Sequence, residues 1–391
     1  MRTQVLSAVA ILTLAACSDT RVTEPRVAAT NSAALDRAST DDSDFRGSGD
    51  LTHSAVFTLS NSATDNAVLA FTRRDDGGLV PAGSFSTGGR GTGAGLGSSG
   101  ALAMSEGGDY LFAVNAGSNE VTAFRVRSRS LDRVSTVSSG GTTPISLTVK
   151  NHLLYVLNAG GSGNITGFIV TGDGHLLAIP KSTRPLSSTA SGPAQISFSP
   201  LGDVLVVTEK NTNVISTYRL GLFGLMSNPI VTPSVGTTPF GFAFGRLGNL
   251  IVSDAAGGAA NASAATSYRL GFDGHLTPLT GAVPTTETSA CWVAVTDNGQ
   301  YAYLANTGSG TVTGYRVGIR GELTILNGDG RTGVTGAAPA DIAASNGSRF
   351  LYTIAGGSHG INGFAIRADG SLTALPAVTA VPAGTVGLVV E

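Results

Sequence analysis

One phrase recurs seven times along this 391-residue chain: an apolar run, a turn rich in Asn and Gly, then a second apolar run closing on an aromatic residue. It reads YLFAVNAGSNEVTAF, VLVVTEKNTNVISTY or YAYLANTGSGTVTGY, and its closing aromatics are Phe71, Phe124, Phe168, Tyr218, Tyr268, Tyr315 and Phe364. Successive closures lie 53, 44, 50, 50, 47 and 49 residues apart. A period of that length marks a propeller or a solenoid, because a unit this small cannot bury its apolar faces alone and has to stack against copies of itself.

Each unit holds four strands. An apolar strand, commonly opened by Pro, precedes the phrase, as at residues 144–149, 193–196, 239–242 and 339–342. A tight turn and a fourth strand follow it, as in Asp173-Gly174-His175-Leu176 and Asp273-Gly274-His275-Leu276. Asp-Gly between apolar runs signals a hairpin, since Gly accepts the positive φ of the turn. Four antiparallel strands make a propeller blade, so the sequence predicts an all-β, seven-bladed β-propeller over residues 53–391. The first unit starts at Ala55 with no inner strand ahead of it, while Pro382 to Glu391 is an apolar segment with no unit of its own. That C-terminal segment is expected to pair into the first blade, closing the ring and removing open sheet edges.

Composition agrees. The 54 Gly are about twice the usual share, yet 41% of residues are apolar, enough for a core and unlike low-complexity chains. The net charge of −2 arises ahead of residue 53, since the body carries 19 basic and 19 acidic residues. With no basic stripe to neutralise phosphates, a nucleic-acid partner is not expected.

Met1-Arg2 is followed by an apolar run over residues 5–16, the length of a signal-peptide core and too short to span a bilayer. It ends in Leu14-Ala15-Ala16-Cys17, which resembles a bacterial lipobox whose cysteine is acylated. The expected organisation is a signal peptide over 1–16, then an acylated Cys17 and a disordered tether over 17–52. Residues 18–52 carry seven acids and four bases without apolar periodicity. Such a protein is exported to the cell envelope and held to the membrane through its lipid anchor alone. If Cys17 is consumed by lipid, Cys291 has no partner, and the fold is expected to contain a buried thiol and no disulfide.

Strings such as Asp109-Tyr110-Leu111-Phe112-Ala113-Val114-Asn115 and Phe350-Leu351-Tyr352 resemble the YVTN repeat of the seven-bladed lactonase family, relatives of 6-phosphogluconolactonase and of fungal carboxymuconate lactonizing enzyme. The resemblance covers about residues 53–391 and implies a small-molecule site at the channel mouth. In those relatives, positions two after the inner-strand Pro tend to include His or Arg. Here the matching residues are Ser146, Gln195, Gly241, Asp341 and Gly384, with Val293 in the strand beginning at Cys291. That loss points from a sugar phosphate to an unphosphorylated lactone or a sugar-like ligand.

In a four-stranded meander, loops joining strands two and three share a face with the inter-blade loops. That face collects the candidate catalytic groups: Glu209 or Asp341 to activate water, and Arg331 to stabilise an oxyanion. Candidate ligand-binding residues are Gln195, Asp254, Asn306, Trp292 and His359; the lone Trp292 is either a stacking platform or a filler between blades. The G-x-G-x-x-G string at residues 95–100 and the G-x-S-x-G string at 356–360 lack the strand–helix context of a dinucleotide site or a nucleophile elbow, so both read as loops. The five His show no ligand spacing, and neither a metal nor another cofactor is expected. Two functions fit: a lactonase or lactonizing isomerase, or a non-catalytic propeller that binds a carbohydrate, a small ligand or an envelope protein. A monomer is expected in either case.

Overall fold

The computed structural model describes residues 50–391 apart from Arg246 and Ala377. The expected signal peptide and Cys17 lie outside the described residues, as does the expected tether up to residue 49. Seven antiparallel sheets follow one another around a ring. In blade 2 the strands run outward as Leu102–Met104, Tyr110–Asn115, Glu120–Val126 and Leu131–Ser138. The inner strands of blades 3 to 7 are Pro144–Lys150, Pro193–Phe198, Pro239–Phe244, Ala290–Val295 and Pro339–Ala344, each packed against its neighbours.

Closure occurs where the sequence places it. Val386–Val390 pairs with Ala55–Leu59, matching Val56 with Val390 and Phe57 with Val389, and becomes the inner strand of blade 1. The strand begins at Val386, so Gly384 is not in it and instead packs against Gly93 and Ala94.

The second strands are buried at almost every position, as in Val204–Glu209 and Phe350–Ala355. Both faces of a blade are covered by its neighbours, which is why the apolar pattern is continuous rather than alternating. The seven closing aromatics all sit buried on the third strands. Three of the tyrosines also bond across to the preceding blade: Tyr218 donates to the Pro185 carbonyl at 2.9 Å, Tyr315 donates to that of Val283 at 3.0 Å, and Tyr268 accepts from the Val235 amide at 2.8 Å. Burial raises the pKa of all three hydroxyls, which stay neutral donors at any physiological pH.

The inner strands share a kink. In blades 1, 3, 4, 6 and 7 the register slips by one, leaving Gly387, Ile145, Ala194, Cys291 and Asp341 unpaired in the ladder. Such bulges re-aim the side chains beside them. Ser146 accepts from the Ile196 amide at 3.1 Å, while Gln195 donates to the Phe242 carbonyl at 2.9 Å and accepts its amide at 2.8 Å, so each stitches its inner strand to the next.

Candidate functional site

Residues 91–100 join blade 1 to blade 2 and reach the centre of the ring. Asn61 fixes their base, donating to the Ala94 carbonyl at 2.5 Å and to Thr92 Oγ1 at 3.0 Å. Beyond it, Gly97 accepts Lys210 Nζ of blade 4 at 2.6 Å. Ser98 accepts Trp292 Nε1 of blade 6 at 3.0 Å and donates to the Ile145 carbonyl of blade 3 at 2.9 Å. Ser99 donates its amide to the Ala194 carbonyl of blade 4 at 3.0 Å and its hydroxyl to Asp341 Oδ1 of blade 7 at 3.2 Å. Three consecutive residues that bond to blades 3, 4, 6 and 7 have to cross the axis, so this segment is a plug in the channel mouth. Gly97 at φ +58° and Gly100 at φ +78° turn the chain in the left-handed region, where other residues are strained. The G-x-G-x-x-G string is therefore an inter-blade loop, as its context implied, and its glycines shape the plug.

Two ionisable side chains meet the plug within three residues of each other. Asp341 occupies the inner-strand bulge of blade 7 at φ +55°, a left-handed conformation uncommon for a non-glycine strand residue. Its Oδ1 takes the Ile342 amide at 3.0 Å and the Ser99 hydroxyl, whereas Oδ2 is buried without a partner. Burial pushes its carboxyl up to about 7, against the hydrogen bonds from Ile342 and Ser99. Lys210 stands with its ammonium 4.6 Å from the Phe240 ring centroid, and desolvation lowers it to about 8. Phe240 meets Trp292 edge to face at 5.4 Å. Trp292 is buried beneath the plug, with its indole nitrogen bonded, so it is not an open stacking platform here.

The other candidates are placed apart from this centre. Glu209 ends the second strand of blade 4, fully buried, and receives the Ser187 amide at 3.2 Å, the Ser187 hydroxyl, and the Ser216 hydroxyl at 2.5 Å. Asp254 and Asn306 hold the same position in blades 5 and 6: Asp254 takes the Thr266 hydroxyl at 2.5 Å, and Asn306 donates to Thr313 at 2.8 Å. Asn115 does likewise to Thr122 at 2.9 Å. The position is thus a repeated brace between second and third strands. Gly89, Gly141 and Gly236 press against the side chains of Asn115, Asn158 and Asp254, leaving no room for a Cβ. Asp254 Oδ1 has no partner, and burial pushes this carboxyl up to about 7 despite the Thr266 bond.

Arg331 donates to Glu287 Oε1 at 2.8 Å in a bridge whose arginine is exposed and whose glutamate is buried. Gln195 spends both amide atoms on Phe242. His359 is an exposed turn residue at φ +52° whose carbonyl accepts the Ala380 amide. Of the eight candidates, then, only Asp341 and Trp292 converge on the plug. They are joined there by Lys210, whose signal in the sequence was a lysine where other blades carry Ala, Thr, Gly or Asn after the brace. Cys291 is buried in the inner strand of blade 6 and is not a free cysteine, which corrects the expectation of an unpaired thiol.

Seven closed blades with a central, occluded mouth define a seven-bladed β-propeller. Residues 59–181 match the family model described as lactonase, 7-bladed beta-propeller. No curated protein sequence matches the chain. Among solved structures, a candidate 6-phosphogluconolactonase of Bacteroides fragilis superposes with a TM-score of 0.68 at 18% identity, over 90% of this chain and 100% of that one. The periplasmic gluconolactonase PpgL of Pseudomonas aeruginosa gives 0.68 at 17% identity, over 86% and 99%. A protein from Lactobacillus plantarum gives 0.70 at 19%, over 87% and 99%. The fold is that of these seven-bladed propellers, and residues 59–181 carry the likeness to the lactonase family.

Proposed function

We propose that this propeller hydrolyses a small unphosphorylated lactone at the central mouth, with Asp341 as base and Lys210 as the cation facing the oxyanion. The observation that carries the reading is the Asp341 carboxyl: buried at the ring's centre, held in a left-handed bulge, with one oxygen unpartnered and a pKa raised to about 7. With residues 97–99 withdrawn, that oxygen takes a proton from water as the water oxygen attacks the lactone carbonyl. The tetrahedral oxyanion is stabilised by the Lys210 ammonium; the ring C–O bond then breaks, and the alkoxide leaves with the proton returned from Asp341. Among the described residues, the inner-strand positions offer no Arg or His for a phosphate, which favours an unphosphorylated substrate. Glu209 and Arg331 are left out of this chemistry, because each is already committed to a structural partner.

The test follows acid release by the full chain from aldonolactones and aromatic lactones. Turnover that falls at least roughly a hundredfold in Asp341→Asn, with the fold intact by circular dichroism, supports catalysis. A second reading, a binding propeller, draws on the plug, whose own Ser98 and Ser99 occupy the mouth's polar groups. A flat trace across the panel, together with a lactone or sugar that raises the melting temperature, selects it.

A further inference from the structure

The connection between blades 1 and 2 is longer than a propeller needs. Between the strands ending at Ser86 and starting at Leu102 it takes 15 residues, whereas the other six connections between blades take 4 to 7. A surplus of this size in a compact ring marks a functional loop. Both of its ends are pinned. Asn61 holds residues 92–94, and at the far end the Gly100 carbonyl accepts the Leu147 amide at 2.8 Å while that of Ala101 accepts the Val114 amide at 3.1 Å. The tip between them, residues 97–99, is Gly-Ser-Ser and buries no apolar side chain; Leu96, just ahead, is half-buried. Five hydrogen bonds hold this tip, from Lys210 and Trp292 and to Ile145, Ala194 and Asp341. Such bonds exchange with those of water at small net cost, so a tip held this way lifts more readily than one rooted by a buried Leu or Phe.

One of the five bonds depends on a proton. Facing the Asp341 carboxyl are the Ser99 hydroxyl and Gly100 amide of the loop, the Leu388 amide of the inner strand of blade 1 and the Ile342 amide of its own strand. All are neutral, and among the described residues Asp341 is in no ion pair; Lys210, the cation of the mouth, bonds Gly97 instead and titrates only near 8. A negative charge on Asp341 therefore meets no counter-charge, and with the tip down its Oδ2 has no partner. Lifting the tip lets water reach that oxygen.

We propose that residues 97–99 form a latch worked by one proton, which seals the mouth while Asp341 is protonated and lifts once Asp341 is ionised. The same ionisation that readies Asp341 as a base then uncovers it. With the tip closed, burial keeps the carboxyl up at about 7, and contact with water returns it toward its ordinary 3.8. Between those values the ratio of open to closed mouths rises about tenfold per pH unit, and above about 7 it levels off. The latch governs access to the mouth read above as a lactone site and rests on that reading for its purpose, but its test needs no turnover.

In the full chain, hydrogen exchange at the Ser99 amide, which is bonded to Ala194, is followed from about pH 5 to about pH 7, beside acrylamide quenching of Trp292, the chain's only tryptophan. Ser99 protection is expected to fall at least roughly tenfold across that range and Trp292 quenching to rise with it, whereas Asp341→Asn holds both at their acid values. Asp254→Asn, which removes a carboxyl that titrates in the same range away from the mouth, should behave as the parent does. Protection that ignores pH, or that falls as far in Asp341→Asn, overturns the latch. So does a loss shared by the Ile196 amide, bonded to Ser146 in the inner strands, because the whole ring is then loosening. That comparison is made within the parent, so it decides the matter even where Asp341→Asn does not fold. A flat lactone panel with this response intact would sink the hydrolysis and keep the latch.

Discussion

Replacing Asp254 by Asn should make the propeller more stable, and by an amount that depends on pH. Asp254 holds the brace position at which blades 2, 3 and 6 carry Asn115, Asn158 and Asn306. Its carboxyl is buried, one oxygen has no partner, and burial pushes it up from an ordinary 3.8 to about 7. Between those values the unfolded chain has lost the proton that the folded chain keeps, so stability falls as pH rises, by about 1.36 kcal/mol per pH unit. The full penalty, reached above about pH 7, is about 4 kcal/mol at most. Asn carries no such penalty and can donate to Thr266 as Asn306 does to Thr313. With an unfolding entropy of about 2.1 cal/mol/K per residue over the roughly 340 described residues, 4 kcal/mol corresponds to about 6 °C in melting temperature. Scanning calorimetry of parent and Asp254→Asn from about pH 4 to about pH 8 should show curves that nearly coincide at the acid end and diverge above it. A variant less stable at every pH, or one displaced by the same amount throughout, would refute the reasoning and return Asp254 to the list of residues facing a ligand.

Three further outcomes are expected. If the proposed hydrolysis occurs, its pH profile should be a bell, with an acid limb near 7 as Asp341 gains its proton and an alkaline limb near 8 as Lys210 loses its own; Lys210→Met should remove the alkaline limb. A chain ending at Pro376 lacks the inner strand Val386–Val390, exposes the edge of Ala55–Leu59, and should be recovered mostly as aggregate; a soluble product with an unchanged melting curve would sink the closure. Trp292→Phe leaves the Ser98 carbonyl without its indole donor and should loosen the plug, costing about 1–3 kcal/mol of stability and speeding amide exchange at residues 97–99.

The number of blades, the strand order, the hairpin turns and the closing strand were all legible in the chain, because a propeller writes its fold as a local period. Phe71 and its counterparts recur where each blade must fill the gap to its neighbour, and Asp-Gly recurs where the third strand turns back. Val386–Val390 could be matched to Ala55–Leu59 because the first unit lacks one strand and the tail supplies it.

The candidate site was only partly legible, since it depends on contacts between residues far apart in sequence. Glu209 and Asp254 stood out as acids in place of Asn, yet the same replacement is what a buried brace tolerates when a Ser or Thr hydroxyl faces it. Ser99 and Asp341 are 242 positions apart, and no local pattern announces that they meet.

The sequence alone determined the repeat, and with it the blades, their order and the neutral ring, because each of these rests on near-neighbour periodicity and on the residue types that strands and turns accept. Only the tertiary structure decided that residues 97–99 cross the axis and that Asp341 keeps an unpartnered oxygen there. Those facts follow from ring closure, which brings blades 3, 4, 6 and 7 around one short segment and sorts every loop to one side or the other.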